Sequence, residues 1–423
     1  MQAKSVLIND KPRTLILSGL AVITAHLVNA SLFHLEAPLT ERVAWTVLAL
    51  FATAVATVSF PALDDRARGL LALAYGLPAF IFGIGVHAVH VYELGVTESS
   101  YTGIPMLLAG VVLTVTGATM LVRSVHAWWR RLLFAPAGVA LVVVGVFPAT
   151  LAVFATNVPV VECCEETPAD RGLAYEDVTF ETEQGLTLSA WYIPSTNGAV
   201  VITAHGAGNN RSTVMDEAAM LARHGYGILM VDLEGFGDSD GRANAFGWVG
   251  ARDIHAATAY LASRPDIDAS RIGGLGLSMG GEVLLQAAGE STDLRAVVAE
   301  GATGRTAKDF SELESGGDNM LVFHTVAGTA MRLISGEDAP PPLMEMVARI
   351  APRNVLLIGS QVPDELDLMA RYKDIGGESF EIWFIPEAKH VGGFDLHREE
   401  YEQRVIAFFD NALLPDGLTA QVP

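Results

Sequence analysis

The chain has 423 residues, of which 51% are hydrophobic, with a mean hydropathy of +0.36 and a formal net charge of −21. It is longer than one ordinary domain and too apolar for an average soluble protein. The first 157 residues hold 9 Lys and Arg against 7 Asp and Glu, and the other 18 basic and 41 acidic residues follow them. The second part, near −23, has no clustered Lys and Arg with which to hold phosphates, which argues against nucleic acid or anionic lipid as its partner.

Residues 1–157 contain five apolar stretches, Thr14–Leu35, Val43–Phe60, Gly69–Tyr92, Ile104–Val122 and Leu132–Thr156. Each has the length of a membrane-spanning helix, so this part reads as an all-α transmembrane bundle embedded in a bilayer. The first stretch follows Lys4, Lys11 and Arg13 but lacks a clear small-x-small cleavage site, and it reads as a retained anchor. Basic loops at Arg66/Arg68 and Arg123/Arg130/Arg131 alternate with loops carrying Arg42 or no basic residue. Basic loops face the cytoplasm. The expected arrangement is therefore a cytoplasmic N-terminus in the cytoplasmic membrane, with everything after the fifth span on the outer face. His26, His87 and His90 fall within these spans; interhelical hydrogen bonding is the reading preferred over a haem, a metal or a proton path.

A linker, residues 158–172, carries the only two cysteines, Cys163 and Cys164. As neighbours they make no disulfide framework and read as incidental thiols. From residue 173 the pattern changes. Tyr175–Thr182 and Leu186–Ile193 alternate as a hairpin around Gly185, and Ala199–Thr203 is a continuous apolar run suited to a strand buried on both faces. That strand ends in His205-Gly206-Ala207-Gly208, a glycine-rich turn that leaves backbone N–H groups free to face a developing oxyanion. Ala207 is the expected donor there, with His205 as a brace and Arg211 holding the loop. A helix around Val214–His224, a strand at Gly227–Leu233 and the turn Glu234–Gly241 follow. Asp238 and Asp240 within that turn are read as structural and not as a calcium loop.

After a helix at Trp248–Ser263 comes Gly276-Leu277-Ser278-Met279-Gly280, a G-x-S-x-G nucleophile elbow between an apolar strand and a helix. Gly276 and Gly280 leave room for the sharp turn, Ser278 is the nucleophile, and the Met279 N–H is the second oxyanion donor. The spacing fits neither a dinucleotide fingerprint nor a phosphate loop. The turn at His205–Gly208, the loop Asp232–Ser239 and this elbow together resemble the α/β-hydrolase superfamily, most closely its dienelactone-hydrolase and prolyl-oligopeptidase-like serine hydrolases. The resemblance covers about 240 residues and implies a mostly parallel sheet with helices on both faces and a Ser…Asp/Glu…His triad in that chain order. The βαβ pattern of strands separated by helices points to the same architecture.

The remaining partners are then expected after Ser278. Arg295–Glu300 is a strand, and residues 303–352 read as a lid-like insertion with an apolar segment at Met320–Ile334. Beyond the strand Asn354–Gly359, the loop offers Asp364 and Glu365 as the acid; the reading leans to Asp364, while the longer Glu365 side chain compensates for a displaced backbone. Asp367 is assigned to the following helix. His390, in the loop between the strand Phe380–Ile385 and the helix Arg398–Leu413, is the expected base. The chemistry expected is acyl transfer from an ester, thioester or amide to water, on a small or lipid-like acyl substrate, with no cofactor and no metal.

Overall fold

The computed structural model describes residues 60–97, 101, 103–161, 163–164, 166–241, 246–311 and 317–414, with single positions between 43 and 55. These residues divide into two compact units, drawn from Met1–Val158 with Thr329–Gly336 and from Pro159–Gly328 with Glu337–Pro423.

In the first unit, three helices are long and apolar enough to cross a membrane: Asp65–Tyr92, Ile104–Ser124 and Trp128–Thr156. They coincide with the last three apolar stretches of the sequence. Thr14–Leu35, His26 and most of Val43–Phe60 lie outside the described residues. Helix α1 (Asp65–Leu94) starts where the Asp64 carboxylate accepts the Ala67 N–H at 2.8 Å, an N-cap that satisfies one orphan donor. It packs on α2 (Ile104–Ser124) through glycines spaced seven apart, Gly69, Gly76 and Gly83 on one helix and Gly103, Gly110 and Gly117 on the other. A Cβ on Gly83 would lie 2.2 Å from the Leu107 nitrogen, and one on Gly110 would lie 2.3 Å from the Phe80 nitrogen. The backbones are therefore too close for any side chain, which is how helices associate in lipid, where apolar burial supplies no drive. His87 stands with its ring 6.3 Å from that of Tyr101. Neither His87 nor His90 belongs to a group of three metal-ligating side chains among the described residues.

The second unit is built on one eight-stranded sheet of order β1-β2-β4-β3-β5-β6-β7-β8. The strands are β1 (Glu176–Glu181), β2 (Thr187–Ile193), β3 (Val200–Ala204), β4 (Gly227–Val231), β5 (Ile272–Leu277), β6 (Ala296–Glu300), β7 (Asn354–Gly359) and β8 (Phe380–Phe384). β2 runs antiparallel to β1 and β4; every other pairing is parallel. Strands β3 to β6 are buried along their whole length. Their unbroken apolar runs follow from that, since helices cover both faces of a parallel sheet. The helices that follow in the chain are α3 (Met215–Arg223), α4 (Gly250–Ser263), α5 (Met279–Glu290), α6 (Gly317–Ser335, which groups with the first unit from Thr329), α7 (Pro363–Gly376) and α8 (Arg398–Leu413). This is the α/β-hydrolase fold. One core cluster joins Trp191, Tyr226, Leu275, Leu356, Tyr401 and Phe409 across sheet and helices. Cys163 and Cys164 are partly buried against that cluster.

The glycine contacts give a direct test. Gly83→Leu and Gly110→Leu should each lower the melting temperature of the detergent-solubilised chain, by about 2 kcal/mol or more in stability, because overpacking a tight helix seam forces the backbones apart. Gly138→Leu, where an added Cβ meets nothing within 4 Å, should leave it unchanged.

Candidate active site

Only one residue separates β5 from α5. Ser278 takes φ 53° and ψ −120°, a conformation that side chains other than glycine rarely adopt and that costs about 1–3 kcal/mol. The turn closes on itself: a Cβ on Gly276 would lie 2.4 Å from the Gly280 carbonyl carbon, and one on Gly280 would lie 2.1 Å from the Ala204 carbonyl oxygen at the end of β3. The Ser278 N–H donates to the Glu300 carbonyl at 2.7 Å, and its own carbonyl accepts from Gly281 at 2.9 Å and Glu282 at 3.2 Å. These bonds fix the turn from both sides and leave Oγ directed away from the sheet edge.

That Oγ lies 2.9 Å from His390 Nε2, across 112 residues of sequence. On the far side of the ring, His390 Nδ1 is hydrogen-bonded to Glu365 Oε1. Glu365 is completely buried, and its Oε2 accepts both the Ser360 N–H and the Ser360 hydroxyl at 2.9 Å. The structure thus sets Glu365 against the histidine, where the sequence reading leans to Asp364. The reason lies in how α7 begins. Pro363 opens the helix, and Glu365, two residues on, turns back over the end of β7 toward Ser360. Asp364 precedes it in the first helical turn, with its side chain outside the described ones. Asp367 lies further along the helix.

The loop after β3 sits beside the serine. A Cβ on Gly206 would lie 3.6 Å from Ser278 Cβ. Among the described residues, neither the Ala207 N–H nor the Met279 N–H donates to another group. His205 is fully buried: its Nδ1 bonds the Gly206 carbonyl at 2.8 Å, and its Nε2 accepts the Leu233 N–H at 3.2 Å. Burial pushes its pKa down, consistent with a neutral imidazole that ties the ends of β3 and β4 together. Arg211 completes the brace. Its guanidinium pairs with buried Asp232 and, at 2.8 Å, with Asp238, and stacks 4.5 Å from the centre of the Trp191 ring. Ligand atoms of Cys163, Asp232 and Asp238 lie within 4.8 Å of one another, but Arg211 already balances both carboxylates. Asp240 accepts the Thr187 N–H at 2.9 Å, so the turn is pinned to β2.

The electrostatics favour a basic imidazole. The hydrogen bond that His390 donates to Glu365 raises the His390 pKa above its ordinary value, against the opposing pull of burial. Burial pushes Glu365 up, but the bonds from His390 and Ser360 outweigh it and leave that carboxyl below the usual range. Glu300, which sequence reasoning passed over, holds both halves of the site. Its carbonyl accepts the Ser278 N–H, and its buried carboxyl accepts the Gly393 N–H at 2.8 Å, three residues beyond His390. Burial raises its pKa. A charged residue ending the apolar run Ala-Val-Val-Ala was the available signal. Glu282, one helical turn after the serine, likewise has its pKa raised by burial and accepts the Thr303 hydroxyl at 2.7 Å.

The X-Pro dipeptidyl-peptidase (S15 family) matches residues 167–342. The uncharacterized protein YfhR of Escherichia coli K12 is 26% identical over 253 residues, covering 57% of this chain and 83% of its own. An uncharacterized protein of Mycobacterium tuberculosis, Rv2307c, is 34% identical over 128 residues, covering 30% and 43%. Among solved structures, the esterase Pf2001 of Pyrococcus furiosus superposes with a TM-score of 0.48 at 23% identity, covering 60% of this chain and 97% of its own. The dienelactone hydrolase of Anabaena variabilis does so with a TM-score of 0.41 at 19% identity, covering 57% and 99%.

Behind the site, burial pushes the Glu217 carboxyl up to about 8, with the nearby Glu300 charge adding to the effect. A carboxyl whose folded pKa exceeds its unfolded one binds more protons in the native state, so stability falls as pH rises from about 4.5 to 8. Glu217→Gln should therefore be more stable than the wild type at pH 9, by up to about 5 kcal/mol, with the difference vanishing near pH 4 where both states are protonated. Denaturant melts at the two pH values read this out.

Proposed function

We propose that this chain is a membrane-anchored serine hydrolase that cleaves ester bonds, and by the same residues thioester or amide bonds, through an acyl-enzyme. The observation that carries the proposal is the continuous line from Ser278 Oγ to His390 Nε2 at 2.9 Å and from His390 Nδ1 to Glu365. His390 takes the Ser278 proton as Oγ attacks the carbonyl carbon, and Glu365 holds the ring and stabilises the imidazolium that forms. The free N–H groups of Ala207 and Met279 receive the oxyanion, an interaction worth about 3 kcal/mol per donor in such sites. His390 returns the proton to the leaving group. A water then loses a proton to His390, attacks the acyl carbon and releases the acid and Ser278.

A retired hydrolase fold serving as a sensor or assembly part is the alternative that the irregular acid loop left open; the pairing of Glu365 with His390 weighs against it. The match to X-Pro dipeptidyl-peptidases favours amide bonds as a second substrate class. The alternation of basic loops supports an outer-face position for the hydrolase unit, with the N-terminus in the cytoplasm.

Hydrolysis of p-nitrophenyl esters of graded chain length, beside an Xaa-Pro p-nitroanilide, tests the proposal and ranks the two substrate classes. Ser278→Ala should abolish turnover of both, and wild-type rates in that variant would refute the mechanism. The reaction needs neutral His390, whose pKa is raised, so kcat/KM should fall as pH drops through a value above 6.5. Glu365→Gln should move that limb to lower pH and reduce kcat by about 10²–10⁴-fold.

A further inference from the structure

One cavity lies apart from the catalytic unit. It has a volume of about 720 Å³ and opens among the apolar helices, between the start of α1 and the chain that joins α2 to the third apolar helix. Two arginines, Arg66 and Arg130, line it together with His126. Its other walls are apolar, formed by Trp129, Leu133, Phe134 and their neighbours. None of its lining residues is acidic. The two nearby carboxylates are used elsewhere: Asp64 caps α1, and Asp65 faces Arg68 at 3.6 Å. Among the described residues, neither Arg66 nor Arg130 has an acidic partner. Arg130 lies 5.0 Å from the centre of the Trp129 ring, and Arg131 Nε donates to the Val125 carbonyl at 2.8 Å, which folds the rim of the cavity.

Unbalanced arginines beside exposed tryptophan and leucine at the end of an apolar helix match the border between headgroups and acyl chains. A basic pocket between membrane helices selects lipids by the charge of the headgroup. The geometry points to a binding site for an anionic phospholipid, with its phosphate between Arg66 and Arg130 and an acyl chain along Leu133 and Phe134. The inference rests on reading these helices as membrane-spanning. It does not depend on the chemistry at Ser278. The volume suits a headgroup with the first part of a chain, within the range of small-molecule sites. The two arginines stand at the starts of their helices, among the basic residues at Arg66/Arg68 and Arg123/Arg130/Arg131, so the site faces the leaflet that the charge pattern assigns to the cytoplasm.

The full chain in detergent, titrated with phosphatidylglycerol or phosphatidylcholine and read by native mass spectrometry and thermal shift, tests this inference. Wild type should prefer phosphatidylglycerol, and the double variant Arg66→Gln/Arg130→Gln should bind it about 25-fold more weakly, since each arginine near a membrane surface is worth about fivefold. Phosphatidylcholine should bind both proteins equally, and millimolar inorganic phosphate should not displace phosphatidylglycerol. Equal phosphatidylcholine binding and an unchanged lipid-free melting temperature show that the double variant has folded. Equal binding of phosphatidylglycerol by the two proteins, equal binding of the two lipids by wild type, or displacement by phosphate alone would overturn the assignment. Loss of ester hydrolysis in Ser278→Ala with lipid selectivity intact separates this site from the catalytic one.

Discussion

A backbone strained at one residue organises the catalytic unit. Ser278 holds φ 53° because β5 must end and α5 must begin within a single position, and that is possible only while Gly276 and Gly280 carry no side chain. Gly280 in turn rests against the carbonyl of Ala204, and Ala204 is the register partner of Gly276 in the parallel pair β3–β5. The strain is therefore held by the centre of the sheet, the most buried part of the unit, and not by a surface loop. What the sheet supports there is a hydroxyl at 2.9 Å from an imidazole and two backbone donors that, among the described residues, have no partner.

The residues around that turn show a second constraint, the control of charge out of water. Glu217, Glu282 and Glu300 are buried carboxyls whose pKa values burial raises, whereas Glu365 is held low by two partners. Of these four, the carboxyl bonded to His390 is the one whose hydrogen bonds hold its pKa down, and it is the one placed to stabilise an imidazolium. Glu300 differs in kind. It touches Ser278 through its carbonyl and the His390 loop through its carboxyl, so it couples the positions of two groups without meeting a substrate.

The sheet was largely legible because burial on both faces leaves unbroken apolar runs, and β3 to β6 appear in the sequence as such runs. Ser278 and the loops at His205 and Asp232 could be located because glycines mark where they turn, and His390 because it lies in the loop between the last strand and the last helix. The acid was harder. Asp364 and Glu365 are adjacent, and which one reaches the histidine depends on how Pro363 starts a helix, a rotation that composition does not encode. Glu300 escaped notice because its role is set by tertiary packing against Gly393. The glycine seam between α1 and α2 was visible as isolated glycines, but its seven-residue spacing acquires meaning only when both helices are set side by side.

The two units are held together differently: the apolar helices pack by backbone contact, as helices do in lipid, and the α/β unit by the burial of side chains on a sheet. The account as a whole turns on whether Ser278 is a nucleophile activated by His390. Mass-spectrometric mapping of the chain after treatment with a fluorophosphonate measures this directly. It should find the adduct on Ser278 alone and little or none when His390 is replaced by alanine. An adduct elsewhere, or equal labelling of Ser278 without the histidine, would contradict it.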